Sequence, residues 1–345
     1  MTKNRQYTHM KSQRLKVLLC CAATLLIGKT HAQQSIQFTQ YVFNSISVNP
    51  AYTGYKEEWF GQMALRSQWA GWDGAPKTGS ISIDGVVDPV SKRHGVGLQV
   101  TADKLGAQSA TSVYANYALR LQLDDEDTQR LSLGIAAGFT QYGLDGNKLQ
   151  AVETGDIVIP AGKLSTWRPD IRLGVYYYNP KWYLGASVQD LFANSSSNDE
   201  FRFNENSLES LYRNISLYVM GGALFEFEQG LHFRPSILVK DDFKGPTSLD
   251  INAMFIFNNK FWIGAGYRTR ARIFDREYYD QSPLKLSATN AITGIVQFYA
   301  TDRFRLGYSY DIMLNKMSGL QNGSHELTLG VTFGTVRQLL SPRFF

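Results

Sequence analysis

Cysteine is almost missing: Cys20 and Cys21 are the two in 345 residues. Both lie in the first 32 residues, so the rest of the chain has no disulfide and no thiolate zinc site. Long apolar runs are missing as well. The mean hydropathy is -0.24, whereas a helical membrane bundle needs repeated apolar runs of about 20 residues. An excess of one charge is missing too, despite a formal +5. Residues 1–32 hold six of the 35 Lys+Arg and none of the 30 Asp+Glu, leaving 29 bases against 30 acids. A basic surface for nucleic acid therefore has no support. Aromatics are abundant instead, at 20 Phe, 19 Tyr and 6 Trp, which excludes a disordered chain.

The first residues read as a secretory leader. Lys3, Arg5, Lys11, Arg14 and Lys16 form a basic start, Val17 to Gly28 an apolar stretch, and Lys29-Thr30-His31-Ala32 a small-residue end. The apolar stretch is too short to cross a bilayer, and cleavage is expected after Ala32. A lipoprotein signal is the alternative, with Leu19 and Cys20 standing where a small residue is wanted. An exported chain without crosslinks needs another source of stability. A closed hydrogen-bond network in a membrane supplies one.

Alternation dominates the chain beyond the leader. Val113, Ala115, Tyr117, Leu119, Leu121 and Leu123 share one face, and Tyr114, Asn116, Ala118, Arg120 and Gln122 the other. Period two over about ten residues marks a strand with one apolar and one polar side. The same pattern recurs at Leu131–Phe139, Phe304–Tyr310 and Leu327–Phe333. It predicts about 14 strands, roughly at 58–69, 77–87, 95–103, 111–123, 129–142, 167–178, 181–191, 213–226, 230–240, 247–257, 260–270, 287–300, 303–312 and 324–334. Tight polar turns such as Asn179-Pro180, Glu228-Gln229, Asn258-Asn259 and Thr301-Asp302 alternate through most of the chain with long connections at about 143–166, 192–212, 271–286 and 313–323. An antiparallel up-and-down sheet places every second connection at the same end. One trimmed and one elaborate end is the pattern of an outer-membrane barrel with periplasmic turns and extracellular loops. The expected class is therefore all-β: a transmembrane antiparallel up-and-down β-barrel of about 14 strands. A soluble sandwich would show Greek-key connections, and no propeller repeat is visible.

The polar faces of these strands carry both signs of charge: Arg66, Asp84, Arg120, Asp170, Arg172, Asp250, Arg268 and Arg305. They brace or hydrate a wide interior, or hold a plug. Tyr176-Tyr177-Tyr178, Trp182-Tyr183 and Phe261-Trp262 flank short turns and suit an interfacial girdle. Catalytic chemistry is scarce. His94, His232 and His325 lie far apart without metal-type spacing, Gly264-Ala265-Gly266 sits inside a strand, and His232, which alternates onto a polar face next to Arg234 and Ser236, reads as a lining residue and not as a catalytic base. No cofactor or enzymatic activity is expected. The acidic run Asp124 to Asp127 reads as a calcium ligand set or, more simply, as a solvated turn.

Between leader and first strand stand Gln37-Phe38-Thr39-Gln40-Tyr41-Val42-Phe43-Asn44 and Val48-Asn49-Pro50-Ala51-Tyr52-Thr53-Gly54. They resemble the QFSQYMFN-like and INPAYAG-like signature of the PorP/SprF family. The closing Ser341-Pro342-Arg343-Phe344-Phe345 is similar to that family's SPRYF-like end. The resemblance implies an outer-membrane component of the type IX secretion system. Its members assist secretion or surface anchoring of large adhesin-like cargo with a type B C-terminal domain, in some cases linked to gliding motility. It implies machinery components and cargo as partners.

The expected layout is a signal peptide at 1–32, a periplasmic or lumen-docked segment at 33–57, the barrel at 58–335 and a periplasmic tail at 336–345. Phe38, Tyr41, Phe43, Ile46, Val48 and Tyr52 are too apolar for a free tail and must dock, in the lumen mouth or on a partner. Asn49-Pro50 starts a turn and Gly54 permits the bend into the first strand. On the outer loops, Trp167, Phe201, Phe203, Phe274, Tyr278 and Tyr279 are candidate cargo anchors. The alternative function is an outer-membrane channel or transporter for small molecules, either hydrophobic compounds or, as a diffusion porin, polar solutes.

Overall fold

The computed structural model describes residues 38–149, 162–193, 200–203, 206–209, 214–243, 246–271, 273, 290–314 and 318–333. Fourteen antiparallel strands form the barrel: β1 (Trp59–Ser67), β2 (Lys77–Val86), β3 (His94–Leu105), β4 (Gln108–Gln122), β5 (Arg130–Asp145), β6 (Lys163–Tyr178), β7 (Trp182–Gln189), β8 (Ser216–Ala223, resumed at Phe225–Glu228), β9 (Leu231–Asp241), β10 (Ser248–Phe257), β11 (Phe261–Arg270), β12 (Ala291–Tyr299), β13 (Phe304–Met313) and β14 (Ser324–Phe333). Each strand pairs with its sequence neighbours, and β1 pairs with β14 from Trp59↔Phe333 to Ser67↔His325. The sheet has no free edge, so its backbone groups are satisfied inside the wall, as a lipid environment demands.

The alternation expected from sequence sets the two faces. Ile81, Leu98, Leu133, Leu173, Leu184, Ile251, Ile263, Leu306 and Leu327 lie exposed on the outside. Ser82, Gln99, Ser132, Ser187, Asn252, Gln297, Ser309 and Thr328 lie buried on the inside. Such a barrel is apolar where lipid meets it and polar within, the reverse of a soluble protein. The trimmed connections 179–181, 229–230 and 258–260 fall at one end, the periplasmic one. One extracellular connection is also tight: Gly106-Ala107 joins β3 to β4 in two residues, and Gly106 takes a positive φ of 57° there. A small ribbon, Glu200–Phe203 paired with Asn206–Glu209, stands in the connection after β7.

Two sequence-based expectations are corrected. Trp167 does not belong to a loop. β6 begins at Lys163, so Trp167 sits on the outer face of that strand, 56% exposed, its ring edge-on to Phe139 at 5.5 Å. Polar Lys163 and Ser165 hide this upward extension from an apolar count. The aromatic girdle is thinner than expected, because alternation sends every second aromatic inward. Tyr177, Trp182 and Phe261 face outward, whereas Tyr176, Tyr178, Tyr183 and Trp262 are buried inside.

Candidate functional site

The barrel interior is lined with charge and crossed by the chain's own residues 38–57. This segment folds as two short 3-10 turns, Ser45–Ser47 and Pro50–Tyr52. Asn49 caps the second turn: its Oδ1 accepts from the Ala51 N–H at 2.9 Å while Pro50, with no N–H to satisfy, starts the turn. The other end of the same amide reaches the wall, Nδ2 donating to the carbonyls of Val175 (2.9 Å) and Ala186 (3.3 Å) on the paired β6 and β7.

The residues singled out at this end of the sequence are buried in the barrel, and most of them bond to or pack on its inner face. Phe38 is buried. Gln40 donates to Ser309 and to the Glu326 carbonyl, and accepts from Thr328 at 2.9 Å. The Tyr41 hydroxyl lies 3.5 Å from Ser236. Phe43 meets Trp262 edge-on at 5.6 Å, and Asn44 donates to Ser80. Tyr52 stacks on Tyr55 at 4.9 Å, and Tyr55 packs edge-on against Tyr178 at 4.8 Å. Gly54 turns at a φ of 75° and donates its N–H to Asp84 at 2.8 Å. The wall is shaved to receive the segment. A Cβ on Gly134 of β5 would lie 2.2 Å from the Ala51 nitrogen, and one on Gly174 of β6 would lie 2.0 Å from Asn49 Oδ1.

Two ion networks hold the segment at its ends. At the extracellular end Arg66 reaches Asp311 (2.7 Å) and Glu326 (3.1 Å), Arg268 pairs with Asp250 and approaches Asp311 (3.7 Å), and Lys240 pairs with Asp250 (2.9 Å). Three cations balance three carboxylates, as buried charge requires. Thr39 joins this network through its hydroxyl, which donates to Asp311 at 2.6 Å and accepts from Arg66. At the periplasmic end Glu57 binds Lys92 (2.8 Å) and the fully buried Arg120 (3.2 Å). Lys92 in turn faces Asp127, which Arg130 also holds. Glu57, Lys92 and Asp127 all have positive φ, at 62°, 52° and 55°. Such backbone is costly for side chains with a Cβ and persists where the surroundings over-determine it.

The remaining charges expected in the lumen also lie inside. Asp170 accepts from the Tyr114 hydroxyl at 3.0 Å, and Arg172 lies over the Tyr114 ring at 3.5 Å. Arg305 is buried between the rings of Phe43 and Phe60 and donates to Gln62 at 2.8 Å. The backbone of Phe201 and Phe203 lies in the small ribbon. Phe274, Tyr278, Tyr279, the leader and Ser341–Phe345 lie outside the described residues. Among the described residues no group of three or more His, Cys, Asp or Glu could hold a metal ion. Asp124 is consumed by its own turn, accepting from the Thr128 and Gln129 N–H groups at 3.0 and 2.9 Å. Sequence reasoning misses the aromatic lining. The signal for it is parity: Tyr176 and Tyr178 share the register of Asp170 and Arg172.

No curated protein matches the chain. Among solved structures it is similar to the TodX deltaS2S3 mutant monoaromatic hydrocarbon channel, with 10% identity, 86% of this chain and 94% of that one covered, and a TM-score of 0.48. It is also similar to outer membrane protein Omp33 of Acinetobacter baumannii, with 8% identity, 81% and 100% covered, and a TM-score of 0.43. A Pseudomonas aeruginosa FadL homologue gives 10%, 85% and 94%, and 0.44. Likeness this distant says nothing about a ligand. The family match is of another order. Residues 30–331 match the type IX secretion system membrane protein PorP/SprF, and with the closed 14-strand wall described above the chain belongs to that family, as an integral β-barrel of the bacterial outer membrane.

Proposed function

We propose that this barrel works as a sealed, non-enzymatic accessory of type IX secretion that binds a large adhesin-like secreted protein at its extracellular loops and helps export it or hold it at the surface. The observation that carries this reading is the bonding of residues 38–57 to the inner wall, from Glu326 near one mouth to Arg120 near the other. A diffusion pore gains nothing from a lumen crossed by its own buried segment, whereas a docking platform gains rigidity. The loops after β5, β7 and β11 are the long ones at the extracellular end, where a cargo would meet the barrel.

The second reading is a channel for small hydrophobic molecules; the TodX mutant among the similar structures is named a monoaromatic hydrocarbon channel. It requires the N-terminal segment to leave the wall or to leave a continuous path beside it. One pair of measurements separates them. The full-length protein, purified in mild detergent, is expected to bring down a large secreted protein carrying a type B C-terminal domain, and to give no ohmic current in a planar bilayer. Recovery of the barrel alone together with steady pore currents overturns the proposal in favour of the channel.

A further inference from the structure

On the outside of the barrel, exposed lysines gather at the extracellular ends of one group of strands. Among the described residues they are Lys77 of β2, Lys104 of β3, Lys148 just after β5 and Lys163 of β6. Lys77 shares the parity of Ile81, Lys104 that of Val100, and Lys163 that of Trp167, so these three project from the outer face with the exposed apolar residues below them. Lys240, at a similar height on β9, points inward to Asp250.

Lys77 and Lys104 are direct cross-strand partners, and Lys148 also acts electrostatically on Lys104. Like charges set opposite each other destabilise a sheet. Among the described residues, Asp145, paired across from Lys163, and exposed Asp73, in the connection between β1 and β2, are the acids beside them, so the four lysines keep a surplus of positive charge. The register orders the group along the strands. Ala102, Thr111, Gln141 and Trp167 share one row across β3 to β6. The next outward row is Lys104, Ser109, Gly143 and Ser165, and Asp145 and Lys163 stand one step higher. Trp marks the boundary between acyl chains and headgroups, so Lys163, beyond Trp167 on the same strand, stands at headgroup level, and the other lysines lie likewise at the extracellular ends of their strands. Ser109, Gly143 and Ser165 make a floor of small residues between Lys104 on one side and Lys163 above.

We propose that this sector binds the phosphate-bearing headgroup of an outer-leaflet glycolipid, with its acyl chains along Ile81, Val100 and the Phe139–Trp167 pair. The lysines supply the charge that a phosphate offsets, and the small-residue floor gives the sugar room. The apolar rows below are continuous with the membrane contact. A soluble acidic partner would have no use for the apolar rows.

The test uses the full-length protein, purified in detergent and stripped of lipid, with bisphosphorylated lipid A and its dephosphorylated form as probes in native mass spectrometry. Wild type is expected to retain the bisphosphorylated form in preference to the other. K77Q/K104Q is expected to bind it about 25-fold more weakly, taking about fivefold per lysine at a membrane surface. K148Q/K163Q serves as a second variant, and heat-modifiable migration on a gel confirms that each remains a folded barrel. K181Q/K260Q removes two exposed lysines from the periplasmic turns and is expected to bind as wild type does. Equal retention of both lipids, unchanged binding by the folded K77Q/K104Q and K148Q/K163Q variants, or an equal loss in K181Q/K260Q overturns the proposal.

Discussion

The Glu326 carboxylate accepts the backbone N–H of Thr39 at 2.7 Å, across 287 positions of sequence. The next N–H, that of Gln40, reaches the other oxygen at 3.0 Å, and Arg66 neutralises the pair from β1. A carboxylate that holds two consecutive amides clamps a chain direction as well as a point. Thr39 is thereby fixed at the extracellular end of a segment whose other end, Glu57, lies at the periplasmic mouth. The segment therefore runs down the lumen before the chain turns to enter β1.

Removing that clamp should release the top of the segment first. Glu326→Ala leaves Arg66 buried with Asp311 as its remaining carboxylate, a loss of about 3 kcal/mol for a broken buried pair. The barrel, closed by its own ladders, should survive with a lower midpoint in heat-modifiable migration. New cleavage by an added protease near residues 38–44 is the expected sign. Unchanged cleavage and midpoint would show that the clamp contributes nothing.

The glycines of the inner wall give a cleaner experiment, because they make no side-chain bond of their own. Gly134→Ala and Gly174→Ala each put a methyl within 2.2 Å of segment atoms, and overpacking of this kind costs about 2 kcal/mol. Gly294 of β12 meets nothing within 4 Å, so Gly294→Ala should be silent. In a planar bilayer the two inner variants should show intermittent current that Gly294→Ala and wild type lack. Silence from all three would mean that the segment yields without opening a path.

The wall is readable from sequence because lipid outside and polar groups inside force strict alternation, as at Val113 to Leu123. The same rule, followed only as far as aromatic runs, misplaces Tyr176, Tyr178, Tyr183 and Trp262, whose parity points inward. Trp167 is misplaced for the opposite reason, since β6 continues past the apolar band through Ser165 and Lys163. That residues 38–57 must dock is legible from their apolar side chains, but their path down the lumen is not. Their partners, such as Glu326 and Gly134, are singled out by closeness in space and carry no sequence mark. The Asn49-Pro50 turn is legible because its geometry is local.

Asp124 offers a test by pH outside the membrane wall. The Thr128 hydroxyl, then the Gln129 N–H, hold its carboxyl below the usual carboxylate range. A depressed folded value means that the contribution is present above the unfolded value, near 3.9, and fades as pH falls through the folded one. Amide exchange at Thr128 and Gln129 should therefore lose protection below about pH 4 in wild type. Asp124→Ala should show weak protection throughout, with no step in that window. A step that persists in the variant would assign the titration to another group.

At the opposite mouth, Glu57 and Lys92 should differ sharply although they share one ion pair of 2.8 Å. Glu57→Ala strips Arg120 of the carboxylate it binds at 3.2 Å, in a place that water does not reach. A loss of about 3 kcal/mol results from an uncompensated buried cation. Lys92→Ala removes a partly exposed cation, and Glu57 keeps Arg120, so the loss should stay near 1 kcal/mol or below. Heat-modifiable migration of both variants and of the double variant measures the coupling. If Lys92→Ala proves as damaging as Glu57→Ala, the Lys92 ammonium, which also faces Asp127, carries as much of this network as the Glu57 carboxylate.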